Sequence, residues 1–192
     1  MKILIFCIVV VCSAAIGTIL GKSAQKKYKL KFYWPYPIIF AFFSCLYYFR
    51  FGISKEYFIG ILMLIICLFF SVKDILVREV SDVMHLLFAA LGCINLSKNT
   101  TASMILGAML LGIIMLVAAL LQKGAMGGAD IKFSAAIGWF FGFEKGLLVL
   151  ISGLLLSVIV TVLISLKKGK KQNSIPMIPY LSAACVTVYF TI

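Results

Sequence analysis

The chain has 192 residues, 64% of them hydrophobic, with eighteen lysine and arginine residues against six acids. Several apolar stretches reach the roughly 18 to 20 residues of a membrane-spanning helix, which excludes an ordinary soluble domain. The net charge of +12 indicates topology rather than nucleic-acid binding, because basic residues of membrane proteins gather at the cytoplasmic ends of spans. We therefore expect an all-α, polytopic membrane protein that forms a single domain over residues 1–192 and contacts the lipid bilayer.

Eight apolar segments follow one another along the chain. The first could pass for a secretory signal, but a second hydrophobic segment follows it, which favours a retained span. Two segments have only about 13 or 14 residues and must begin in the headgroup zone, thin the bilayer or continue into polar residues. The predicted segments are Lys2–Gly21, Trp34–Phe51, Tyr57–Val72, Val83–Leu96, Ser103–Gln122, Ile131–Phe143, Gly146–Leu166 and Pro176–Ile192.

The basic residues are divided unevenly between the two sides of this arrangement. Thirteen fall on the side that holds four connecting loops, and five fall on the side that holds three loops and both termini. The positive-inside rule assigns the richer side to the cytoplasm. We expect a multi-pass protein of the cell membrane whose termini both face outward.

Metal binding is not indicated by the sequence. The six cysteines lie within or beside apolar runs and form no C-x-x-C pair, so neither a zinc site nor a disulfide framework is predicted. His85 is the one histidine in the sequence, and with no second ligand it is expected to be a hydrogen-bonded packing residue. We expect no metal and no cofactor.

Three aspartates, Asp74, Asp82 and Asp130, fall on the predicted cytoplasmic side. An ionisable group at membrane depth is energetically costly, so its presence suggests a functional role. Asp82, however, precedes an apolar run and is expected to be a helix N-cap. Asp74 ends a span, where the helix dipole disfavours a negative charge, whereas Asp130 opens one, where the dipole favours it. Two carboxyl groups in such unlike settings form the acid and base pair of aspartic proteolysis. The sequence leaves open which of them is the acid.

A glycine-rich stretch, "KGAMGGADIKF", leads up to Asp130. Glycines are used where a chain turns tightly or where another backbone approaches closely. Gly124, Gly127 and Gly128 therefore suit an extended peptide that lies against the carboxylate. Phosphate binding is the other use of such loops, but an acid at the helix start would repel phosphate.

These residues resemble the two motifs of the type IV prepilin peptidases, membrane aspartyl proteases related to the archaeal preflagellin peptidases. The first motif of that family is an aspartate, a basic residue four positions on, and then proline followed by Asp or Asn. It is matched, with serine in place of proline, by Asp74, Arg78, Ser81 and Asp82. The second motif is Gly-x-Gly-Asp, an apolar residue and lysine. It is matched, with alanine in place of the second glycine, by Gly127, Gly128, Ala129, Asp130, Ile131 and Lys132.

The resemblance extends over most of the chain. "WPYPIIFAFFSCLYY" looks like the family's entry to its second span, and "IPMIPYLSAACV" resembles the segment that opens its last one. Many bacterial members carry a zinc-binding insertion after the first span, linked to N-methylation of the trimmed pilin. Here that loop is only "KSAQKKYKLKFY", without cysteine. The chain thus resembles a compact form of the family that has peptidase activity only.

The resemblance implies a set of site residues and a substrate. Asp74 and Asp130 would be catalytic, and the candidate supporting residues would be Gly127, Gly128, Lys132, Arg78 and Asp82. The substrate would be a prepilin or pseudopilin precursor whose short basic leader ends in glycine before a hydrophobic helix. The cut would follow that glycine at the cytoplasmic face of the membrane.

Two other functions stay open. A small transporter or channel subunit could bind protons or cations with Asp74 and Asp130, or the chain could be an inactive assembly protein built on the peptidase scaffold. A transporter is expected to hold its acids near mid-membrane between broken helices. The predicted position of both acids at one face, beside loops, favours the protease.

Overall fold

The computed structural model describes residues 2–28, 35–77, 80–94, 100–121, 127–168 and 176–191. Within these ranges the chain is helical and contains no strand, which confirms the predicted all-α class. The helices found there are α1 (Lys2–Tyr28), α2 (Pro35–Phe51), α3 (Lys55–Val77), α4 (Asp82–Ile94), α5 (Thr101–Leu121), α6 (Gly128–Lys168) and α7 (Ile178–Tyr189).

Helix α6 consists of two helical stretches that meet at Gly142. This residue has φ 74° and ψ −174°, a backbone conformation that glycine adopts without the steric cost of a Cβ atom. The backbone N–H of Phe143 donates to Oγ of Ser103 on α5 at 3.1 Å, so a side chain serves an amide beside the break. With α6 counted as two stretches, the part of the chain that the structure describes contains eight helical segments, which follow one another in the predicted order.

The chain is a membrane protein. Among the described residues, α3, α5 and α6 are long and apolar enough to cross a membrane by length and composition. Three shorter apolar helices accompany them, at Tyr36–Phe51, Asp82–Ile94 and Ile178–Tyr189. All three are shorter than the roughly 20 residues of a straight span. Two of the segments predicted from sequence were also shorter than this.

The chain divides into two compact units, Met1–Ile65 and Ile66–Ile192. In the first unit α1 packs closely on α2. A Cβ atom on Gly17 of α1 would lie only 2.6 Å from Cα of Pro37 on α2, so the small size of glycine allows this approach. All three aspartates belong to the second unit. The single peptidase domain expected over residues 1–192 stays a prediction.

Helices α5 and α6 of the second unit touch through their backbones. A Cβ atom on Gly138 would lie 2.2 Å from the carbonyl oxygen of Gly107. Small residues allow membrane helices to approach this closely, and the approach gains van der Waals contact in place of a hydrophobic driving force. The pair of glycines thereby fixes the first half of α6 against α5.

An aromatic cluster joins α3, α4 and α6. Phe70, Phe88 and Phe133 are fully buried, with ring centroids 4.6 Å apart for Phe70 and Phe133 and 5.3 Å apart for Phe88 and Phe133. Aromatic pairs at such spacings attract each other beyond simple area burial. Phe70 precedes Asp74 by one helical turn and Phe133 follows Asp130 by about one turn. The cluster therefore holds the two aspartate-bearing helix ends together.

Candidate active site

Asp130 lies in the first turn of α6 and is 8% exposed. Its Oδ2 accepts a hydrogen bond from the backbone N–H of Gly127 at 3.1 Å, while its own N–H donates to the carbonyl of Gly127 at 3.1 Å. A side chain that reaches back in this way to the residue before the helix forms half of a capping box. The turn that contains the glycines thus orients the carboxylate.

Asp74 lies in the last turn of α3 and is 7% exposed. Its Oδ2 accepts a hydrogen bond of 3.2 Å from the backbone N–H of Ile178, the first residue of α7. Helix N-termini carry unpaired N–H groups and favour negative charge. The sequence indicated only the unfavourable end of α3 at Asp74, and that expectation was incomplete, because α7 brings a favourable helix end to the same carboxylate.

The structure brings Asp74 and Asp130 together, although α4 and α5 separate them in the chain. The two side chains lie within the range at which the charge of Asp74 acts on the Asp130 carboxyl. Both residues are more than nine-tenths buried, and each has its Oδ2 bonded to a backbone N–H. Two buried aspartates from different helices are therefore near enough for their charges to interact.

Lys132 pairs with Asp82. Its Nζ lies 2.6 Å from Oδ1 of Asp82, and the two side chains are 54% and 70% exposed. The hydrogen bond and the charge of Lys132 lower the pKa of the Asp82 carboxyl, which opens α4 at the surface. This exposed pair links the starts of α4 and α6 beside the aspartates. Arg78, the remaining candidate supporting residue, lies outside the described residues.

Neither the backbone conformation nor the packing requires a glycine at the positions of Gly127 and Gly128. The glycines with positive φ in the described ranges are Gly52 and Gly142. A Cβ atom on Gly128 would meet nothing within 4 Å, and one on Gly127 would meet Oδ2 of Asp130 at 3.7 Å, an ordinary contact. What the two glycines do is leave exposed backbone uncovered beside Asp130. Gly124 lies outside the described residues.

His85 lies buried at the edge of the aromatic cluster. Its ring centroid is 5.1 Å from that of Phe70 at an angle of 32°, and 6.2 Å from that of Phe133. Neither ring nitrogen has a hydrogen-bond partner among the described residues. Over the same residues, no group of three or more histidine, cysteine and acidic side chains could hold a metal ion.

Sequence reasoning missed three buried groups of the second unit. One is the backbone N–H of Ile178. Pro179 could have indicated it, because proline near a helix start marks an N-terminus whose amides need acceptors. The hydroxyls of Ser134 and Ser182 are the others, one turn into α6 and α7 and both buried. Ser134 follows Asp130 by four positions, a spacing that places two side chains on the same helix face.

Comparison with known proteins gives one match. The model of the type IV leader peptidase family matches residues 61–164, more than half of the chain, and this range includes both Asp74 and Asp130. Among curated proteins and among solved structures, none matches the chain. The match ends before α7, so the contact between Ile178 and Asp74 extends beyond the matched residues.

Proposed function

This chain belongs to the type IV leader peptidase family, and we propose that it is an aspartic endopeptidase in which Asp74 and Asp130 form the catalytic pair. One observation carries the proposal: two buried aspartates from different helices lie near enough for their charges to interact, and each has one carboxyl oxygen bonded to a backbone N–H. Burying two interacting acids is costly, and an active site explains why the cost is tolerated.

The proposed reaction uses the two carboxyl groups in opposite protonation states. The ionised one takes a proton from a water molecule, which attacks the peptide carbonyl, and the protonated one donates to the carbonyl oxygen. The N–H groups of Gly127 and Ile178 hold the carboxyl groups in place, which supports a fixed geometry for the attack.

The proposed substrate is a prepilin or pseudopilin precursor with a short basic leader, a glycine and a hydrophobic helix. Support comes from the family and from the uncovered backbone at Gly127 and Gly128, where a methyl group on Gly128 would meet nothing. An extended peptide needs such open backbone to lie against a carboxylate. The cut is proposed to follow the glycine of the leader.

The proposed location of the site is the cytoplasmic face of the cell membrane. Asp74 lies in the last turn of α3, Asp130 lies in the first turn of α6, and Ile178 is the first residue of α7. The site groups therefore come from helix ends rather than from mid-span. The excess of basic residues on the same predicted side supports the cytoplasm. Acids at helix ends also favour the protease over a transporter, whose acids are expected near the bilayer midplane.

A defined cleavage reaction tests the proposal. The purified full-length protein is reconstituted in liposomes with a synthetic precursor, and the products are identified by mass spectrometry. We expect one cut after the glycine, and no cut in a matched precursor whose glycine is replaced by phenylalanine. If the precursor that keeps its glycine is not cleaved, the proposal is contradicted and an inactive assembly protein is favoured. Proton or cation flux across the liposome membrane would favour the transporter.

A further inference from the structure

Three buried side-chain oxygen atoms in the second unit have no hydrogen-bond partner among the described residues. They are Oδ1 of Asp130, Oγ of Ser134 and Oγ of Ser182. The residues are 8%, 0% and 3% exposed, so lipid and bulk water do not reach these atoms. Nearly all buried polar atoms in proteins are hydrogen-bonded, and each exception requires an explanation.

Ser134 differs from other hydroxyl residues of these helices. Ser71, Ser152 and Thr161 each donate to the carbonyl four residues back, at 2.8, 2.7 and 2.5 Å, which is the usual bond of a serine or threonine within a helix. The hydroxyl of Ser134 has no such bond to the carbonyl of Asp130. Its hydrogen is therefore free for another acceptor.

The nearest unsatisfied acceptor along the helix is the side chain of Asp130. Residues four apart lie on one helix face with Cβ atoms about 5–6 Å apart, and each Cα–Cβ bond tilts toward the helix start. Ser134 is thus directed back toward Asp130. Oδ2 of Asp130 is already bonded to Gly127, so Oδ1 is the oxygen that lacks a donor.

The face that carries these two residues is turned toward α7. It continues from Asp130 and Ser134 to Phe141, whose ring lies 6.5 Å from that of Tyr189 on α7. At the other end, Asp74 interacts with Asp130 and accepts from Ile178 at the start of α7. Ser134 therefore lies in the interior, one turn below the two carboxyl groups.

We propose that Ser134 is a positioning residue for Asp130, and that one water molecule bridges the Ser134 hydroxyl to Oδ1 of Asp130, because neither atom has a partner in the part of the chain that the structure describes. This inference rests on the proposed protease function. Asp130 would then be held by two donors, the Gly127 amide on Oδ2 and the Ser134-bound water on Oδ1. Each carboxylate oxygen accepts two hydrogen bonds, so a position remains on each for the attacking water.

The test compares Ser134→Ala, Ser134→Thr and Ser182→Ala in the full-length protein reconstituted in liposomes with the synthetic precursor. Ser182→Ala is the matched control, because it removes an equally buried, unpaired hydroxyl that follows Ile178 rather than an aspartate. We expect Ser134→Ala to lower kcat about tenfold, the value of one hydrogen bond to a charged group, with KM and melting temperature near wild type. Ser134→Thr should restore most of kcat, and Ser182→Ala should leave it unchanged.

Wild-type kcat in Ser134→Ala would overturn the inference, and so would an equal loss in Ser182→Ala. A stably folded Ser134→Thr variant that is as slow as Ser134→Ala would also overturn it. If the methyl group of threonine disturbs folding, the alanine variant decides, because it only removes an atom. Absence of cleavage by the wild type would instead reject the proposed function itself, so the two failures are distinguishable.

Discussion

The backbone N–H of Ile178 donates a hydrogen bond of 3.2 Å to Oδ2 of Asp74 across 104 positions of the chain. The residue before α7, Met177, makes no side-chain cap hydrogen bond, so Asp74 supplies an acceptor that the helix does not provide for itself. The end of α3 and the start of α7 are joined by this bond. Asp74 therefore has a structural part in addition to its proposed catalytic one.

Two variants should separate the structural role of Asp74 from its proposed catalytic role. Asp74→Ala should lower the free energy of unfolding by about 1 kcal/mol, as the loss of a helix N-cap does, because the Ile178 amide loses its acceptor. Asp74→Asn should keep most of that stability, because an amide oxygen still accepts the bond, yet both variants should fail to cleave. Thermal unfolding in detergent measures the difference. Equal melting temperatures for the two variants would show that the bond contributes no stability.

Gly128→Ala should impair cleavage but not folding. A Cβ atom there meets nothing within 4 Å and alanine is the better helix former, yet the methyl group would cover exposed backbone against which we propose that the peptide lies. We expect KM to rise while the melting temperature stays at or above that of the wild type. Gly138→Ala is the contrasting variant, since its Cβ would lie 2.2 Å from the Gly107 carbonyl oxygen and should prevent stable folding. An unchanged KM in Gly128→Ala would refute the open-backbone argument.

The ion pair of Asp82 and Lys132 should matter little. Exposed pairs gain modest Coulomb energy and lose side-chain entropy, so Asp82→Asn and Lys132→Gln should retain most of the cleavage rate and nearly the wild-type melting temperature. A double-mutant cycle on both quantities measures their coupling. Strong coupling in kcat would mean that the pair positions Asp130, contrary to our expectation.

The sequence was sufficient to predict the helical class and the order of the segments. Apolar length and charge distribution carry that information locally. The break at Gly142 was also indicated, because the apolar pattern separated Ile131–Phe143 from Gly146–Leu166 at nearly the same place. The break itself lies four residues before the second predicted segment, next to the bond between the Phe143 amide and Ser103 on α5.

The partners of the site residues could not be predicted, because they come from distant parts of the chain. Nothing near Asp74 in sequence indicates Ile178, and nothing near Lys132 indicates Asp82 as its partner. The local sequence does not distinguish Ser134 from other serines in apolar helices, because its burial and its missing helix bond depend on the fold. Pairings of this kind depend on tertiary packing, which a local pattern does not encode.

Topology can be tested with single cysteines at exposed helix starts. In a background without the native cysteines, a cysteine at Thr101 should react with an impermeant thiol reagent in intact cells. One at Ser81 should react only after lysis, because the loops near the aspartates are predicted to be cytoplasmic. Reaction at position 81 in intact cells would reverse the proposed orientation.

The most direct test of the catalytic pair is precursor cleavage by Asp74→Asn, Asp130→Asn and the double variant, with Asp82→Asn as the matched control. All four should insert in liposomes. Each of the first two should lose about 10²-fold to 10⁴-fold in rate, the usual contribution of a general acid or base. The double variant should be no slower than either, since residues that act as a unit are not additive. Near-normal cleavage by Asp74→Asn or Asp130→Asn, or an equal loss in Asp82→Asn, would contradict the account.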